Sequence, residues 1–152
     1  MKKRANVLTP YFLTLFGCFI YWYFNGVMFG VSAGVDSLVW VSFVACILDL
    51  GLGSWLFLHT LKTGRLISIG LSTITLLMPV TSLVSLMKTN EPYGVYYIVV
   101  YVIFILIFGT VIIIHIIQFK KQVNVPKWNK VVLSTIPLGL LITYLSFLFG
   151  FS

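Results

Sequence analysis

VYYIVVYVIFILIFGTVIIIHII, residues Val95 to Ile117, is the stretch that decides the fold. It holds 23 residues with no charge and no proline. At about 1.5 Å per residue it reaches roughly 34 Å, enough to cross a hydrocarbon core about 30 Å thick. Its Val, Ile and Tyr content favours a strand in water. A single strand in lipid leaves its backbone groups unpaired, so the stretch reads as a transmembrane helix.

The neighbouring apolar blocks follow the same reading. The expected fold is all-α, an integral membrane bundle of five transmembrane helices over about 11–31, 38–58, 66–87, 95–117 and 131–151, forming one domain across residues 1–152. Hydrophobic residues make up 60% of the chain and charged ones 9%, with mean hydropathy +1.08. A soluble domain carries about 25% charged residues, and no polar region here is long enough to fold separately. Lys-rich, Ile- and Phe-rich usage resembles that of AT-rich bacterial genomes, which points to a bacterial cell membrane.

The net charge is +7, and the ten Lys and Arg lie between the apolar blocks. There they act as a topology signal rather than a nucleic-acid footprint, so no nucleic-acid partner is expected. Three precede the first block, Lys62 and Arg65 occupy the 59–65 loop, and four fall in 118–130; only Lys88 marks the other side. Nine against one places the N-terminus in the cytoplasm and the C-terminus outside. Tyr93, Tyr96, Tyr97 and Tyr101 then gather at the outer end of the fourth helix, and Trp128 lies near the cytoplasmic interface. The basic start followed by an apolar block also fits a signal peptide ending near Val31-Ser32-Ala33. The block is longer than a signal core and is interrupted by Asn25, so it is expected to stay as the first helix.

Gly26, Gly30 and Gly34 are spaced by four, a double G-x-x-x-G pattern that lets a second helix approach. This face is expected to pack inside the bundle or against a homo-oligomer or membrane-protein partner. Thr135, Gly139 and Thr143 are expected to mark the packing side of the fifth helix. Cys18 and Cys46 fall inside apolar blocks, at depths about 8 Å apart if the first two helices form a hairpin. A disulfide needs Cα atoms within about 7 Å, so no bridge between them is expected.

Asp49 is the one ionisable residue deep in the membrane, roughly 13 Å from the cytoplasmic end. A carboxylate there costs about 2.5–3.5 kcal/mol and faces the bundle interior or water. Ala45, Asp49 and Gly53 share a helix face. Ser72, Thr75, Pro79 and Ser82 form a polar face on the third helix, and Pro79 cannot donate to the Thr75 carbonyl. A hairpin centred near Lys62 brings Asp49 and Thr75 to the same depth. Asp49, Ser72 and Thr75 are therefore the candidate ion- or proton-binding residues. The alternative is a protonated Asp49 serving as structural glue.

His59 and His115 lie at cytoplasmic helix ends and read as interfacial side chains. Two histidines without a neighbouring Cys or carboxylate make no metal site, and no metal or other cofactor is expected. Nothing resembles a nucleophile elbow, H-E-x-x-H or a phosphate-binding loop, and an enzyme is not expected. The expected function is a small proton- or cation-linked transporter, or the membrane subunit of one. The alternative is a non-catalytic interaction protein, such as a bacterial immunity or accessory protein, docking through the glycine face.

Overall fold

A computed structural model describes residues 8–24, 37–88, 94–119 and 127–150. Among them are five α-helices and no strand: α1 (Thr9–Trp22), α2 (Ser37–Leu48), α3 (Ser54–Leu86), α4 (Gly94–Gln118) and α5 (Lys127–Gly150). A π-helical segment, Asp49–Gly53, joins α2 directly to α3. Three stretches are long and apolar enough to cross a membrane: Trp40–Thr60, Lys62–Leu86 and Val95–Gln118. Gly26, Gly30 and Gly34 lie outside the described residues.

The expected loop at 59–65 is instead helical. Straight, the 33 residues of α3 would run about 50 Å. The chain instead doubles back near Gly64, which lies against the backbone of Leu56 and Phe57. Side chains take up carbonyls at this reversal: His59 Nδ1 donates to the Trp55 carbonyl (2.9 Å) and the Thr60 hydroxyl to that of Leu56 (3.0 Å). Polar residues that read as loop thus serve the helix backbone. The arm after the reversal lies antiparallel on α2, as the contacts of Ser42 with Thr75 and of Asp49 with Ser72 require.

The other helices close around this hairpin. Tyr11, Thr14, Leu15, Cys18 and Tyr21 form the buried stripe of α1 at helical spacing. Tyr21 meets the rings of Phe104 (5.1 Å) and Phe108 (5.9 Å) edge-on, which pins α1 to α4. Gly17 permits that approach, since a Cβ there would stand 2.8 Å from Ile107 Cγ2. Gly17→Leu is expected to cost about 1–3 kcal/mol and to lower the melting temperature in mild detergent. An unchanged melting temperature would remove the close α1–α4 contact.

Cys18 and Cys46 sit closer than expected: Cys46 Sγ donates to the Cys18 carbonyl at 3.6 Å, and both thiols are free and buried. Fourteen residues, 23–36, lie between α1 and α2, so loop length alone does not set their relative register. The packing side of α5 also differs from expectation. Thr135, Gly139 and Thr143 are exposed, and the two hydroxyls return to carbonyls of their own helix. Leu133, Pro137 and Leu140 face the bundle instead.

The inside and outside of the bundle are chemically inverted. Val99, Ile103, Leu106, Ile113, Ile116 and Ile117 are exposed on α4, while Ser42, Asp49, Arg65, Ser68, Ser72, Thr75, His115 and Gln118 are buried. Water would disfavour that arrangement, whereas hydrocarbon has no penalty for the outer face and drives the polar groups inward.

Candidate functional site

Asp49 opens the π-helical segment, and its side chain is fully buried. The wide turn sends the Ser54 N–H back to the Asp49 carbonyl, which the Ser54 hydroxyl also reaches at 3.1 Å. Such single π turns recur at functional sites because they re-aim one side chain inside an otherwise regular helix.

The carboxyl has two unlike oxygens. Oδ2 accepts from the Ser72 hydroxyl at 2.7 Å, across the hairpin. Ser68, one helical turn before Ser72, places a second hydroxyl beside the same group. Oδ1 has no hydrogen-bond partner among the described residues. It lies directly over Gly53, where any Cβ would collide with it. The glycine is therefore the floor of the carboxyl's space, a role its sequence spacing from Asp49 only partly conveys.

Thr75 sits elsewhere. Its hydroxyl donates to the Leu71 carbonyl of its own helix (2.9 Å), and no hydrogen bond joins it to Asp49 among the described residues. Its carbonyl, deprived of a helical donor by Pro79, accepts from the Ser42 hydroxyl at 2.7 Å. Ser42 has one hydrogen to give, so the Tyr21 hydroxyl, 2.6 Å away, is the donor to Ser42. The oxygen expected to serve a bound ion thus accepts at the end of a hydroxyl chain that runs from α1 through α2 to α3. Ser42 could have been found by spacing, because it stands two turns before Asp49 on the same face. Tyr21 carried no such signal, since its contact depends on how α1 packs.

A second polar cluster lies where the hairpin reversal meets the end of α4. Phe57, 1% exposed, stands at its centre. The Tyr11 ring stacks at 6.2 Å, the His115 ring meets it edge-on at 5.4 Å, and the Arg65 guanidinium carbon lies 5.7 Å from the ring centre. The Tyr11 hydroxyl donates to the Leu133 carbonyl, bringing α5 to the same end. Arg65, expected as an exposed loop charge, is 1% exposed, whereas Lys62 is exposed. His59 stays outside, stacked on Trp55 at 4.6 Å, so the two histidines form no pair. No group of three potential metal ligands occurs among the described residues.

Comparison with protein-family models, curated proteins and solved structures finds no match for this chain.

Proposed function

We propose that the chain is a small multi-pass protein of a bacterial cell membrane, a proton- or cation-linked transporter or the membrane subunit of one. Asp49 is its ionisable site. The observation that carries this reading is the buried carboxyl with one oxygen on Ser72 and the other without a partner among the described residues, beside a π turn. An acid used only as structural glue has reason to satisfy both oxygens, because each unmet polar atom in an apolar interior is costly. Two serine hydroxyls and a carboxylate suit a proton or a monovalent cation; they are too few for a divalent oxygen cage. The three candidate spans and the inverted surface support the membrane placement. Lys62, Lys127 and Lys130 lie toward the end where α1 and α5 begin and α4 finishes, in keeping with a cytoplasmic face there.

The test uses proteoliposomes loaded with a pH dye, with proton, Na⁺ or K⁺ gradients imposed in turn. Wild type is expected to dissipate at least one gradient. Asp49→Asn, which keeps the shape and the hydrogen bond to Ser72 but cannot carry the charge, is expected to abolish that flux. Its stability should stay within about 1 kcal/mol of wild type. Full flux in Asp49→Asn, or none in wild type, would overturn the reading and leave the docking protein ahead.

A further inference from the structure

We infer that Arg65 and His115 form an anion site that takes a phosphate group, separate from Asp49. Arg65 is 1% exposed, yet its Nε and Nη2 have no hydrogen-bond partner among the described residues. These two nitrogens form one edge of the guanidinium, the edge that binds two oxygens of one oxyanion in parallel. His115 is also 1% exposed, with both ring nitrogens unpartnered among the described residues. One turn further along α4, Gln118 buries an Oε1 that likewise has no donor there. All three belong to one end of the α3–α4 seam, and Phe57 carries Arg65 and His115 on the same ring.

The protein supplies no counter-charge to this cluster from its described residues. The chain has three acids in all. Asp49 is engaged by Ser72, while Asp36 and Glu91 lie in sequence just before α2 and α4. Gly94, where α4 begins, is about 30 Å from its His115 turn. A buried guanidinium without a partner is far costlier than one bound to an anion. A phosphate meets the whole set. Its oxygens accept from the Arg65 edge and from a His115 N–H, and a P–OH or headgroup hydroxyl donates to Gln118 Oε1. The source is either free phosphate or an anionic phospholipid. For the second, an open groove lined by Leu66, Ile69, Ile116, Ile117 and Phe119, several of them next in sequence to Arg65, His115 and Gln118, offers an apolar bed for an acyl chain.

The experiment measures saturable binding to the purified full chain in neutral detergent. Inorganic phosphate is titrated by calorimetry, and phosphatidylglycerol and phosphatidylcholine are compared by thermal shift. Wild type is expected to saturate with phosphate or phosphatidylglycerol and not with phosphatidylcholine. Saturation by phosphatidylglycerol alone identifies lipid as the source; saturation by inorganic phosphate identifies the free ion. Arg65→Gln is expected to weaken binding about tenfold or more, while Lys62→Gln, a nearby exposed charge, stays within about twofold. If Arg65→Gln does not fold, Arg65→Lys keeps the charge but loses the edge and is expected to show a similar loss. Absence of saturable binding in wild type overturns the proposal. So does an equal fall in the Arg65 and Lys62 variants, or wild-type affinity in Arg65→Lys.

Discussion

Gly64→Ala is expected to remove about 3 kcal/mol or more of stability, because its new methyl group meets backbone rather than a side chain that can swing away. The atoms in its path are the Phe57 nitrogen and α-carbon and the Leu56 carbonyl carbon. Relief requires the two arms of the hairpin to separate at the reversal. That movement would loosen Phe57 and reach the Asp49–Ser72 contact further along. Gly70→Ala is the control, because a Cβ there meets nothing within 4 Å on the same helix. It is expected to stay within about 1 kcal/mol of wild type. Unfolding of both variants in mixed mild-detergent and dodecyl sulfate micelles reads the difference. Equal stability of the two would mean that the reversal has room at Gly64.

Phe57→Ala is expected to cost about 3–5 kcal/mol, the range for emptying the space of a fully buried aromatic ring. The loss exceeds simple burial because three contacts end together: the Tyr11 stack, the His115 edge contact and the Arg65 cation–π contact. Those contacts come from α1, α4 and α3, so one truncation releases three helices at the same end. Phe57→Leu keeps most of the volume and is expected to lose about 1.5 kcal/mol at most from packing, plus the aromatic terms. A melting temperature for Phe57→Ala close to wild type would show that the ring does not organise this end.

Helical class and the places of the apolar stretches were legible in sequence because they depend on local properties. Hydrocarbon-length runs without charge can satisfy their backbone only as helices, so Val95–Ile117 was placed within a residue at either end of α4. Asp49 was equally visible, as a lone acid among apolar residues. Hairpin arithmetic set Asp49 level with Thr75, and Ser72 entered only as a member of the same polar face, one turn away; it is Ser72 that meets the carboxyl. The same arithmetic overestimated Thr75. It gave depth without direction, and the Thr75 carbonyl faces Ser42 rather than the carboxyl.

Local patterning is enough for the short-range part: helix type, the apolar lengths, the uneven distribution of Lys and Arg between the apolar blocks, and one acid that must face inward. Tertiary structure alone decided which polar groups meet and which remain unpartnered. Arg65 read as a loop charge because nothing local shows that α4 packs over the hairpin reversal, where its His115 shares the Phe57 ring with Arg65. Tyr21 and Ser42 read as ordinary residues until packing carried one hydroxyl to the other and on to the carbonyl that Pro79 leaves without a donor. Cys18 and Cys46 read as separated because their register depends on the connection between α1 and α2. For the hydroxyl chain and the cysteines the deciding contact joins residues more than 20 positions apart, and its geometry comes from how side chains of different helices fill the space between them.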